Sequence, residues 1–185
     1  VTNGALIKPE FVKTIVDLGL LSIGISIDGD RETHDTIRGI PGTFDKMIAM
    51  AKSIREYRDS IGKRQPVINF KTVITKYNAL KLDEIYQIGK DVGADYCTFQ
   101  IENMSLELSA LQLHDDFAAY QTAPQPVDAI ENMDSCFEIL DRLKDNKPKV
   151  RFIPDFKHED IAAHYQNNID ISEFTCQAPW IGMNI

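Results

Sequence analysis

The stretch that most constrains this chain is residues 23–42, I-G-I-S-I-D-G-D-R-E-T-H-D-T-I-R-G-I-P-G. It opens with alternation. Ile23, Ile25 and Ile27 fall on one face of a strand, and Ser22, Gly24, Ser26 and Asp28 fall on the other. The isoleucine face is expected to pack under helices. The opposite face is small and polar, whereas barrel interiors usually carry bulky branched side chains. Such a face leaves room for a ligand. Ser26 and Asp28 then stand at the carboxyl end of the strand, where α/β sheets place their sites.

The rest of the chain alternates strand and helix signals in units of roughly 30 residues, which predicts βα repeats and a parallel sheet. Val1 to Gly4 reads as a strand end and a turn, and residues 9–20 as a helix with Phe11, Val12, Ile15 and Val16 as its apolar stripe. Residues 30–39 read as a polar stretch. Thr43 is the expected N-cap of a helix running to Gly62. Residues 67–75 alternate, with Ile68, Phe70 and Ile74 against Asn69, Lys71 and Val73. Asn78 is the expected cap of a helix running to Val92. Residues 96–102 alternate again, with Phe99 and Ile101 against Thr98, Gln100 and Glu102. Residues 103–126 read as a short helix or irregular insert broken by Pro124 and Pro126. A helix over 127–144, a strand over 149–153, a helix near 159–166 and an apolar, strand-like tail follow. Three strands thus present polar or small side chains on one face. In a closed barrel those faces share a lumen; in an open sheet they face solvent, and periodicity leaves both open. Gln100 and Glu102 are candidates for substrate contact or proton transfer, with a solvated strand end as the plain alternative.

Composition narrows the classes. A chain of 185 residues, 43% hydrophobic, can bury the core of one globular domain. A net charge of −8 and a pI near 5.0 argue against a nucleic-acid partner, which needs clustered Lys and Arg. Cys97, Cys136 and Cys176 show no paired spacing, which predicts a reducing, cytoplasmic setting rather than a disulfide framework. No apolar run approaches the ~20 residues of a membrane span, so no membrane partner is expected. His158-Glu159 and His164 do not make a zinc H-E-x-x-H site, because a separation of six residues turns the second His about 240° round the helix. Gly39 to Thr43 lacks the Lys-Ser/Thr ending of a phosphate loop. His34 and His114 read as surface or loop residues, and Cys97 and Cys136 as core.

Ser26-Ile27-Asp28-Gly29, then His34-Asp35, then Arg38-Gly39 resembles the middle of a radical S-adenosylmethionine (radical SAM) enzyme, in the branch with a SPASM or twitch C-terminal extension. In that family a strand reading S-x-D-G is followed by H-D and R-G in this order and spacing. The resemblance implies part of a TIM-like (β/α)6 radical SAM barrel over residues 1–173, its first two strands preceding residue 1. It also implies the start of an auxiliary Fe–S cluster region over 174–185. It implies S-adenosylmethionine contacts at Ser26 and Arg38, with Asp28 joining them or holding the turn or the arginine. Cys176, in Cys176-x-x-Pro179-Trp180, is implied as an auxiliary cluster ligand; a lone buried cysteine is the alternative. The C-x-x-x-C-x-x-C loop that binds the main [4Fe–4S] cluster does not occur in these 185 residues, so those ligands are expected outside this chain.

The implied activity is that of an oxidoreductase. It would cleave S-adenosylmethionine reductively and abstract a hydrogen atom from a peptide, protein or small-molecule substrate, with electrons from a donor such as a flavodoxin or ferredoxin. Catalytic residues are unassigned. The stretch alone is expected to be inactive, to bind the cofactor weakly, and to dimerise through open strand edges. Two other readings stand beside it: a metal-dependent glycosyltransferase using Asp28 and Asp30 as a D-x-D pair, and a non-catalytic remnant or interaction module.

Overall fold

Alternation at period two, interrupted by helical stretches, forces strands that run the same way, because each helix must carry the chain back to the start of the sheet. The computed structural model describes residues 1–4, 7, 9–102, 129–153 and 157–166. The readings made for 103–128, 154–156 and 167–185, with His114 and Cys176, lie outside these residues. The described residues form four parallel strands in sequence order: β1 (Ser22–Ser26), β2 (Val67–Ile74), β3 (Tyr96–Ile101) and β4 (Lys149–Ile153). Six helices accompany them among the described residues: α1 (Pro9–Asp17), α2 (Arg31–Arg38), α3 (Thr43–Ser60), α4 (Leu82–Val92), α5 (Met133–Leu143) and α6 (His158–Tyr165). Thr2 pairs alongside β1, its N–H donating to the Gly24 carbonyl at 2.8 Å and its carbonyl accepting from Ser26 N–H at 2.9 Å. The strand-end reading of Val1 to Gly4 agrees with this. Among the described residues, no helix is long and apolar enough to cross a membrane.

Ile23, Ile25, Ile27, Ile68, Phe70, Ile74, Phe99 and Ile101 are all buried, in one cluster with Val16, Met47, Ile54, Leu82, Ile85, Phe137 and Leu140 from the helices. Each such aliphatic or aromatic side chain contributes about 2 kcal/mol on leaving water. Cys97 and Cys136 lie in this core, as their sequence context predicts. Gly89 on α4 is there because the helix lies almost on β3: a Cβ at that position would stand 2.7 Å from Cys97 Sγ.

The other face is polar. Ser26 pairs with Lys71, Lys71 with Thr98, and Thr98 with Arg151, so these four form one row. Gly24, Asn69, Tyr96 and Lys149 form the row before it. The polar positions of neighbouring strands therefore do share a face.

At the amino ends of the strands the Arg58 guanidinium, buried at the end of α3, donates to the Pro66 carbonyl at 3.0 Å and to Asp95 Oδ2 at 2.8 Å. The same Asp95 oxygen accepts from Ile68 N–H at 2.8 Å. This half-buried bridge fixes β2 and β3 at the end away from the site.

Several expectations need correction. Phe11 is 53% exposed and faces solvent; Val12 and Val16 carry the buried stripe of α1. The polar stretch after Gly29 is a helix, α2, bounded by an Asp30 side-chain cap at its start and a left-handed Gly39 at its end. Thr43 does not cap α3: Gly42 occupies the cap position at φ 81°, and the capping group comes from Asp35. Asn78 does not cap α4, which begins at Leu82, four residues later in the chain. The helix read over 127–144 begins at Met133, behind an Asn132 cap.

Candidate functional site

The polar loop and helix after β1 fold back over the strand's carboxyl end and fix one carboxylate. Asp28 accepts from Arg38 Nε at 2.6 Å and from an Arg38 Nη2 hydrogen at 3.0 Å, a two-pronged grip that sets the guanidinium plane. Burial raises the Asp28 pKa, but hydrogen bonds to His34 and Arg38 outweigh it and hold the carboxyl below its ordinary value. His34, expected on the surface, is fully buried. Its Nδ1 lies 3.2 Å from the Asp28 backbone N and 3.3 Å from Asp28 Oδ2. Without a proton Nδ1 accepts from the N–H; with one it donates to the carboxylate. Its Nε2 is buried with no partner among the described residues. Phe44 meets the ring edge-on, with centroids 6.0 Å apart.

Two further residues hold the strand end. The buried Asn78 amide donates to the Asp28 carbonyl at 3.0 Å and the Val73 carbonyl at 2.9 Å, tying β1 to β2. Tyr165 of α6 donates its hydroxyl hydrogen to the Ile74 carbonyl at 2.6 Å and accepts from Glu102 N–H at 2.9 Å, tying β2 to β3. Gly29 must lack a side chain, because a Cβ there would lie 2.6 Å from Thr33 Cβ.

Asp35, next to His34, serves a different purpose. Its carboxylate accepts from Phe44 N–H at 2.8 Å, Thr43 Oγ1–H at 2.8 Å and Gly42 N–H at 2.5 Å, which satisfies the exposed amides that open α3. The Phe44 amide, working against burial and helped by Thr43 and Gly42, lowers its pKa to about 2. A depressed carboxyl contributes stability above its ordinary value of 3.8 and loses it as pH falls through about 2. Asp35→Asn is therefore expected to be less stable than the parent at neutral pH, with the gap closing across that window. Urea midpoints measured at steps from pH 5 to about 2 check this. A gap independent of pH would refute the capping role.

Of the predicted site residues, Ser26 is half-buried on the polar face, and among the described residues its hydroxyl has no partner. The β1 ladder runs one residue past Ser26, through Ile27 N–H to the Lys71 carbonyl at 2.9 Å, so alternation carries Asp28 to the Ser26 side. Arg38 has a side chain 32% exposed. Gln100 is half-buried on the same face, paired with Val73 and Ile153, and Glu102 follows β3. Cys176 lies outside the described residues. Asp28 and Asp30 do not make a metal pair. Asp28 is spent on Arg38, and Asp30 caps α2 through Thr33 N–H at 2.8 Å, with Lys81 Nζ 3.6 Å away. Among the described residues no group of three His, Cys, Asp or Glu could hold a metal ion. Sequence reading placed His34 on the surface and gave Asn78 to a helix cap, and it passed over Tyr165. The cap pair Asp30 and Gly39, which marks α2 as a helix, was the available clue to His34.

A one-layer parallel βα sheet, polar on the side where S-x-D-G, H-D and R-G converge at the strands' carboxyl ends, has the form of a segment of an α/β barrel. No protein-family model matches the chain. It is 32% identical over 94 residues to the AdoMet-dependent heme synthase of Methanosarcina barkeri, a match covering 50% of this chain and 25% of that protein. It is 40% identical over 63 residues to the Fe-coproporphyrin III synthase of the same organism, covering 34% of this chain and 16% of that protein. It is 30% identical over 92 residues to the cysteine-type anaerobic sulfatase-maturating enzyme of Clostridium novyi, covering 48% of this chain and 22% of that protein. The chain thus spans about a quarter of the length of the curated relatives it matches. Hexahistidine-tagged anSMEcpe with bound AdoMet shares the fold at a TM-score of 0.52 and 19% identity, over 82% of this chain and 38% of that one. The chain is thus similar, over about half of its length, to enzymes of the radical SAM type, and its described residues form a partial α/β barrel shared with that fold neighbour.

Proposed function

We propose that the protein containing this barrel segment binds S-adenosylmethionine at the carboxyl ends of the strands, through the Ser26 hydroxyl and the Arg38 guanidinium. The observation that carries this is the Asp28 grip. It takes Nε and Nη2 of Arg38, and leaves Nη1 without a partner among the described residues, beside a face where the Ser26 hydroxyl is also unpartnered. A pre-aimed guanidinium loses little freedom on meeting a carboxylate. A hydroxyl suits the amino-acid or ribose part of the same molecule. The relatives named for AdoMet and the fold neighbour with bound AdoMet support the reading.

A [4Fe–4S] cluster does not fit the described residues. Burial pushes the Cys97 and Cys136 thiols up to about 12, and both sit in the apolar core, whereas cluster ligation takes thiolates. The main cluster's ligands are assigned to sequence outside this chain, and Cys176 to an auxiliary cluster region over 174–185. A reduced cluster held by those outside residues would supply the electron for the hydrogen-atom abstraction expected of an oxidoreductase of this type. A peptide, protein or small molecule is its substrate, and a flavodoxin or ferredoxin its electron donor.

The test is calorimetric titration of S-adenosylmethionine into the 185-residue chain and its variants. Saturable binding is expected, weakened roughly tenfold or more in Arg38→Ala, as for loss of a charge-assisted hydrogen bond. Ser26→Ala removes a hydroxyl that no described residue uses, so it separates binding from folding. Unchanged affinity in both variants would overturn the assignment.

A further inference from the structure

We infer that the polar face of the sheet is a binding surface for a small polyanion, bearing carboxylates or phosphates. The ligand is held by Lys71, Lys149 and Arg151. This deepens the preceding section, since it rests on reading that face as the substrate side of a barrel.

Three observations carry it. First, register puts the cations together. Lys71 and Arg151 share a row with Thr98 between them, and Lys149 sits two residues before Arg151 on β4, one row back. Strand spacing sets Lys71 and Arg151 about 10 Å apart, and Lys149 about 7 Å from Arg151, at the level of the backbone. Second, none of the three has an ion pair among the described residues, although the chain carries a net charge of −8. An acidic protein that leaves three cations unneutralised on one face concentrates positive potential there. Some basic side chains off this face are matched, Arg38 by Asp28, Arg58 by Asp95 and Lys81 by Asp30, whereas these three share one face without a carboxylate partner among the described residues. Third, two of the three cations are positioned rather than loose. The Arg151 guanidinium lies 4.0 Å above the Tyr96 ring. The Lys71 stem runs along the backbone of β1, close enough that a Cβ on Gly24 would stand 3.3 Å from Lys71 Cε. Gly24 thus leaves space for the lysine on a half-buried face. Ser26 stands at the head of the row, so a ligand on Lys71 is next to the proposed cofactor hydroxyl.

Trimesate, a compact benzene tricarboxylate, and inorganic pyrophosphate serve as the two probes, each titrated into the full chain by calorimetry at about 0.01 M salt, where screening reaches ~30 Å, and at about 0.15 M, where it falls to ~8 Å. Saturable binding of at least one is expected, weaker at the higher salt. The probe that binds identifies the anion type. Lys71→Gln and Arg151→Gln are each expected to weaken it roughly threefold to tenfold, and Lys71→Arg to retain it. Circular dichroism establishes that each variant is folded; Arg151 is exposed, so Arg151→Gln tests the idea even if Lys71→Gln fails to fold. Absence of saturable binding by either probe, or equal affinity in Arg151→Gln and the parent, overturns the inference. If S-adenosylmethionine binds through Arg38 while neither polyanion binds, this inference alone falls. The reverse pattern sinks the cofactor reading alone.

Discussion

Asp28→Ala is expected to destabilise the chain by about 3 kcal/mol and to abolish detectable S-adenosylmethionine binding. Removing one partner of a buried ion pair typically costs about 3–5 kcal/mol. The lower end applies because Arg38, with a side chain 32% exposed, can turn toward water once released. What it loses is its aim: Nε and Nη2 no longer have an anchor 2.6 and 3.0 Å away. His34 loses a partner in the same substitution, and its ring has no water to turn to. The pH dependence has a defined sign. The Asp28 pKa is lowered on folding, so its contribution is complete above the ordinary carboxyl value of 3.8 and fades as pH falls through the depressed one. Chemical denaturation of parent and variant at neutral pH, with the cofactor titration run in parallel, measures both effects. A loss under about 1 kcal/mol would show that the Asp28–Arg38 contact contributes little once solvated.

Gly89→Ala is the second large effect, and it is instructive because the isolated helix would gain from it. Alanine improves on glycine within a helix by about 1 kcal/mol. Here the new methyl would stand 2.7 Å from Cys97 Sγ and 3.4 Å from Phe70 Cδ2, so packing decides the sign. Overpacking a core costs about 1–3 kcal/mol, and a net loss is expected. Cys97→Ala removes the sulfur that the methyl meets. The double variant Gly89→Ala/Cys97→Ala is therefore expected to return close to the parent, a coupling of about 1–3 kcal/mol across the cycle. Additive losses in the double variant would mean that α4 shifts away from β3 rather than meeting Cys97. Urea midpoints of the four proteins give the cycle.

These residues also mark how far the sequence could be read. Ile23, Ile25 and Ile27, and Ile68, Phe70 and Ile74, declared their face because burial repeats every second residue along a strand. The same periodicity put Ser26, Lys71, Thr98 and Gln100 on one face. It was blind to α2, whose residues are almost all polar: a helix held by caps, lying over a loop, needs no apolar stripe. With α2 missed, His34 looked like a surface residue, since nothing showed that the chain turns back over Asp28. Asn78 and Thr43 were misread for a related reason. Both are good local capping residues, but Asn78 is claimed by carbonyls from β1 and β2, and Asp35, from the preceding helix, claims the start of α3. Competition between local and tertiary partners does not show in a linear pattern.

The adjacency of His34 and Asp35 has a practical consequence. One residue steadies the carboxylate that grips Arg38, the next closes the top of an 18-residue helix, and a single peptide bond joins them. Damage at the head of that helix is thereby transmitted to the guanidinium, and a variant chosen for its remoteness will imitate a binding defect. In any mutational survey of this protein, lesions at Gly42, Thr43 or Phe44 will be mistaken for recognition residues unless ligand affinity and unfolding are scored on the same samples.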